Sequence, residues 1–85
     1  MEKIIGRTPS GEEYEMRIED GKVLLELLQY KMTFEPQLVM RNGKIAFVGT
    51  VKYRDKEREL VIVGSDETVR WFERAKDFLY EQGHK

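Results

Sequence analysis

The sequence has no cysteine, one histidine (His84), two prolines and a single asparagine. Without thiols there is no disulfide framework, no thiolate nucleophile and no cysteine metal ligand, and one imidazole cannot build a His/Cys metal cluster. No apolar run exceeds four residues, whereas a helix needs about 20 to cross a bilayer. Met1–Gly6 lacks the apolar centre of a secretion signal, so the expectation is a cytoplasmic protein with no membrane partner. No charge sign dominates either: 15 basic and 16 acidic side chains leave a net of −1, too even for a global polyanion-binding field. Glycine-rich phosphate loops are missing as well, and Gly43, Gly49 and Gly64 read as punctuation.

What remains is 85 residues, 40% hydrophobic and 36% charged, which fits one small domain and is too apolar for a disordered chain. A chain of this size buries only about 60–65% of its unfolded surface, so its stability is thin. The low amide count, one Asn and three Gln (Gln29, Gln37, Gln82) against abundant Glu, Lys and Arg, is the bias of heat-adapted proteins.

The C-terminal third carries the clearest element. Val61–Val63 reads as a strand broken by Gly64, and Ser65 is an N-cap followed by Asp66 and Glu67, which suit the positive end of a helix dipole. Over residues 66–82, Thr68, Trp71, Phe72, Ala75, Phe78 and Leu79 fall on one stripe, opposite Arg70, Glu73, Arg74, Asp77 and Glu81. Gly83 is the expected stop. Val69 and Tyr80 share an azimuth off that stripe, either covering its margin or forming a second contact surface.

Residues 38–63 read as a β-meander. Asn42-Gly43 is a strong two-residue hairpin signal and pairs Arg41 with Lys44, Met40 with Ile45, Val39 with Ala46 and Leu38 with Phe47. Arg54–Glu57 then reads as a four-residue loop, pairing Tyr53 with Arg58, Lys52 with Glu59, Val51 with Leu60 and Gly49 with Ile62. This register puts Leu38, Met40, Ile45, Phe47, Val51, Tyr53, Leu60 and Ile62 on the face that should receive the helix. The other face carries Val39, Ala46, Val48, Thr50, Val61 and Val63. A sheet with one wet face alternates apolar with polar residues, and near Gly64 this one does not. A cover is expected, from the N-terminal half or from another chain.

In the N-terminal half, Lys3–Ile5 is a short strand candidate, Thr8–Gly11 a loop, Glu13–Glu19 a half-buried strand and Asp20-Gly21 a turn. Leu28, Tyr30, Met32 and Phe34 alternate with polar residues, which favours a strand over about Leu27–Glu35. The leucines from Val23 to Leu28 admit either a helical turn or a bent strand. A hairpin of Glu13–Glu19 with Lys22–Glu35 is expected, with room for a break near Glu26 and an end at Pro36. The fold class is α+β: a mostly antiparallel sheet of about five strands packed by one long C-terminal helix.

No catalytic set emerges. His84 lies past the helix stop in a tail, Ser10 sits in a loop, Ser65 serves as a cap, and Glu13, Glu15 and Glu19 are what a strand's solvent face requires. The expectation is a chain without enzymatic activity or cofactor. Charge is uneven, however. Arg41, Lys44, Lys52, Arg54, Lys56 and Arg58 against Asp55 and Glu57 give residues 41–58 a net of +4. Such a strip could track a phosphate backbone, or could keep hairpin tips and edge strands soluble. The run Gly43-Lys44-Ile45-Ala46-Phe47-Val48-Gly49, with a long helix after further strand, resembles the half-repeat of TATA-box-binding proteins over about 40 residues. The helix arrives later here, and that family's intercalating phenylalanines lack counterparts, so the resemblance does not assign the chain to it.

The sequence therefore points first to a protein-interaction module, a homo-oligomer or the binder of a protein partner. Its contact would comprise Val39, Ala46, Val48, Val61 and Val63, with Val69 and Tyr80 on the helix. The alternative is a nucleic-acid-binding protein using the six cations of the 41–58 strip.

Overall fold

Positive-φ residues at three hairpin tips, two of them with glycine, dictate much of the architecture. The computed structural model describes residues 2–83, in the order β1 (Ile4–Arg7), β2 (Glu13–Glu19), β3 (Lys22–Leu27), β4 (Met32–Phe34), β5 (Gln37–Arg41), β6 (Lys44–Tyr53), β7 (Lys56–Val63) and α1 (Asp66–Gly83). The fold is α+β with antiparallel pairing throughout, but the strands form two sheets, β1-β2-β3-β4 and β5-β6-β7, instead of one sheet of about five.

The division falls at Glu35-Pro36. Proline has no N–H to donate to a ladder, and the chain passes from β4 to β5 across it. Alternation through Leu28–Phe34 is misleading as well. The chain turns at Leu28–Lys31, where Tyr30 N–H donates to the Leu27 carbonyl at 3.2 Å and Lys31 takes a left-handed φ of 55°. β4 then runs back along β3, with Leu25 opposite Phe34 and Leu27 opposite Met32. No long strand spans Leu27–Glu35 and no helical turn forms at Val23–Leu28; Leu28 and Tyr30 are exposed.

Asp20-Gly21 and Asn42-Gly43 make two-residue turns with both residues at positive φ, closing on Glu19–Lys22 and Arg41–Lys44. The third hairpin departs from the expected loop. Arg54-Asp55 is itself a two-residue turn, with φ of 52° and 63°, so Tyr53 faces Lys56, Lys52 faces Glu57, Thr50 faces Glu59, Gly49 faces Leu60 and Phe47 faces Ile62. The strand shifts by two residues from the expected register. Because side chains alternate with a period of two, the shift preserves which residues share a face, but Met40, Ile45 and Tyr53, expected under the helix, are exposed and lie outside the core.

The inner face of the first sheet (Tyr14, Met16, Val23, Leu25, Leu27, Phe34) packs with Trp71, Phe72 and Ala75 of α1 and with Phe47 and Ile62 of the second sheet in one apolar cluster. Phe47 lies between the layers, 6.3 Å from the Tyr14 ring and 5.4 Å, edge-on, from Phe72. Gly49 lets the sheets approach, since a Cβ there would collide with the Phe34 ring. The outer face of the first sheet carries a charge cluster beside Ile5 and Leu24: Arg17 bonds Glu15, Glu19 and Glu26 at 3.1, 3.2 and 2.9 Å.

The helix is anchored at its start. Ser65 Oγ accepts from Thr68 N–H at 3.2 Å, and Thr68 Oγ1 accepts from Ser65 N–H at 2.9 Å, a reciprocal cap with threonine in the usual Glu/Gln place. Thr68 Oγ1 also accepts the buried Tyr14 hydroxyl at 3.1 Å, tying the cap to β2. Trp71 Nε1 donates to the Glu2 carbonyl at 3.0 Å. Gly83 is the last residue of the helix and not a break before it; His84 lies outside the described residues.

Two outcomes follow. Arg54 and Asp55 occupy left-handed positions that favour Asn and Gly, so Arg54→Asn with Asp55→Gly should raise stability by about 1 kcal/mol in urea unfolding; a loss would contradict the turn. Burial raises the Tyr14 phenol above its ordinary value, against a smaller lowering by the Thr68 bond. The folded chain therefore keeps a proton that the unfolded chain releases near pH 10. That contribution is complete below about pH 10 and is lost as pH rises through the raised folded value. Stability should fall on the alkaline side, and less steeply in Tyr14→Phe; identical slopes would contradict the assignment.

Candidate functional site

The register of β5, β6 and β7 assembles the face that the core leaves aside. Val39, Ala46 and Val63 form one row across the three strands, and Val48 and Val61 lie in the next with Gln37. None of these belongs to the apolar cluster or packs against it. Val61 is 40% exposed, and Val39, Val48 and Val63 are half-buried. Ala46, by contrast, is only 1% exposed. It is the smallest side chain of the group and lies in register between Val39 and Val63. Both the first sheet and α1 lie on the opposite side, where Phe47 and Ile62 point.

The polar margin has its own geometry. Arg41 registers opposite Lys44 and Glu59 opposite Thr50. Those positions are six residues apart along β6, about 20 Å in a flat strand. Nevertheless the Arg41 guanidinium reaches both Glu59 oxygens, at 3.0 and 3.4 Å. The ribbon therefore curls toward the valine face, and this ion pair crosses it. The bond from Arg41, and then its charge, hold the Glu59 carboxyl below its usual range.

Val69 and Tyr80 part company. Val69 is half-buried against the core and lines a cleft of about 390 Å³ with Lys44, Ile45, Val63, Gly64, Asp66 and Arg70, at the Gly64 edge of the sheet where residues of both faces meet. Tyr80 is 66% exposed and borders a different cleft, of about 420 Å³, beside Lys22, Glu35 and Lys76. They form no common surface.

The six cations also separate. Arg41 and Lys44 stand at the Asn42-Gly43 end, while Lys52, Arg54, Lys56 and Arg58 stand at the Arg54-Asp55 end, with most of the ten-residue strand β6 between them. Arg41 is neutralised by Glu59, and Lys52 faces Glu57 across the strands. Arg54 lies over the Tyr53 ring at 5.3 Å from its centre. Tyr53 stands beside the basic strip in the sequence as well, an aromatic at a hairpin tip flanked by cations, although the six candidate contacts are all cations.

Among the described residues, no three His, Cys, Asp or Glu side chains gather as a metal site. Among the same residues, no helix is long and apolar enough to cross a membrane. Compared with protein-family models, with curated proteins and with solved structures, the chain matches none.

Proposed function

We propose that the chain is a non-catalytic interaction module that associates with a second copy of itself through the face formed by Val39, Ala46, Val48, Val61 and Val63. The observation that carries this reading is that the apolar core lies on the Phe47 and Ile62 side of the three-stranded sheet, while none of the five residues packs into it. The first sheet and the helix occupy the same side of the three-stranded sheet, so on the valine side only the Arg41–Glu59 pair crosses the apolar rows. A sheet face meant for water alternates with polar residues, whereas here two successive rows are apolar. Grouped exposed apolar side chains rimmed by charge are the usual mark of a contact surface. Here Lys44, Lys52 and Glu57 supply the rim, and the Arg41–Glu59 pair crosses the face. Val69, beside Val63, belongs to the margin of this surface; Tyr80 does not.

Association also answers the thin stability of so short a chain, because anything bound only by the folded state deepens it by mass action. The hydroxyls that could have suggested chemistry are already engaged: Ser65, Thr68 and Tyr14 bond one another at the helix cap.

Sedimentation at micromolar concentration should find a dimer or larger species. Val48→Glu should dissociate it while leaving the circular dichroism of the folded monomer intact. A wild-type monomer at that concentration would overturn the proposal. Unfolding of the Val48→Glu monomer would show instead that the face is covered within one chain.

A further inference from the structure

Beyond Gln37, the limit of β5 pairing, β6 and β7 continue as a two-stranded ribbon running to the Arg54-Asp55 turn. The observed register sorts its side chains. Thr50, Lys52, Glu57 and Glu59 continue the valine side, so both strand carboxylates fall there. On the other side are Val51 opposite Arg58 and Tyr53 opposite Lys56. Val51 marks the margin of the core. Past it, Tyr53 is 44% exposed, Lys56 and Arg58 are exposed, and Arg54 rests on the Tyr53 ring. Within the ribbon only Asp55, at the turn itself, brings a carboxylate near this group. Among the described residues, Arg54, Lys56 and Arg58 enter no ion pair, unlike Arg41. The tip is also strained. Two consecutive non-glycine residues at positive φ cost stability and present Arg54 above the aromatic ring.

We infer that Tyr53, Arg54, Lys56 and Arg58 form a binding patch for single-stranded nucleic acid, distinct from the valine face and on the opposite side of the ribbon. Cations beside an exposed ring supply the two elements such ligands need: charge for the phosphates and a flat surface on which an unpaired base stacks. Arg54 extends that surface, since a guanidinium plane stacks on bases as well as on tyrosine. A duplex fits less well. A ribbon lying in a groove meets phosphates on both sides, and the side bearing Glu57 and Glu59 would be repelled. The patch uses three of the six cations in the 41–58 strip and leaves out Arg41, Lys44 and Lys52.

The test is fluorescence anisotropy with labelled oligothymidylate and oligouridylate at low salt, using the full chain. Binding should be micromolar at about 50 mM salt and weaken steeply as salt rises. Tyr53→Ala should cost about tenfold, and Lys56→Glu with Arg58→Glu should abolish binding. Lys44→Glu, at the far end of the ribbon, should change it little. All four positions are exposed, so circular dichroism should report folded variants. No binding at low salt overturns the proposal. So does an equal loss from Lys44→Glu, which would mean attraction by charge alone, or tighter binding of a duplex of the same length. Equal affinity for polyglutamate would reduce the patch to a general polyanion site and likewise overturn it.

Discussion

Phe47 holds the layers together. Its ring meets Tyr14 of the first sheet on one side and Phe72 of the helix on another, and Gly64 keeps that space open, because a Cβ there would press on Phe47 and Val69. Aromatic pairs at such distances and tilts add to what their burial contributes. The same residue decides the orientation of the second sheet. With Phe47 turned inward, Ile62 follows it from β7 and Leu38 from β5, and the alternate residues of all three strands must turn outward. The valine face is thus the geometric complement of the core, and among the described residues the helix and the other sheet both pack on the Phe47 side.

That arrangement organises the rest of the molecule. The first sheet sets a charge cluster on its own outer face, with Arg17 among three glutamates beside Ile5 and Leu24. The second sheet keeps apolar rows where it is three strands wide and becomes polar where β6 and β7 continue alone. The two ends of one hairpin therefore offer different surfaces: an apolar one near Ala46, curled and crossed by the Arg41–Glu59 pair, and a basic, aromatic one near Tyr53. They sit on opposite sides of the ribbon, so occupation of one does not block the other.

Local chemistry made parts of this architecture readable from the residues. Asn42-Gly43 and Asp20-Gly21 supply left-handed positions at little cost, and both hairpins close where those pairs predict. The helix was equally plain, since Ser65, the acidic first turn and the stripe from Thr68 to Leu79 agree with one another. Arg54-Asp55 was opaque because neither residue advertises a left-handed turn, so the loop was read as two residues too long. Parity survived that error, and with it the identity of the valine face. Leu28–Phe34 failed differently: its alternation imitates a strand, but exposed Leu28 and Tyr30 belong to a turn stabilised by backbone bonds that no side-chain pattern records. The division into two sheets followed from Pro36, whose position was noted but whose consequence depends on tertiary packing. Likewise the meeting of Arg41 with Glu59 needs the curl of the ribbon, and no pairing table predicts it.

The central claim is that the chain covers one face of its three-stranded sheet and leaves the valines of the other to a second copy. Methyl NMR with a soluble paramagnetic relaxation agent, recorded across a dilution series, tests it most directly. The methyls of Val39, Val48, Val61 and Val63 should relax strongly in dilute samples and become protected as concentration rises, while those of Val23 and Leu25 stay protected throughout. Valine methyls shielded equally at every concentration, in a species that sediments as a monomer, would contradict the account.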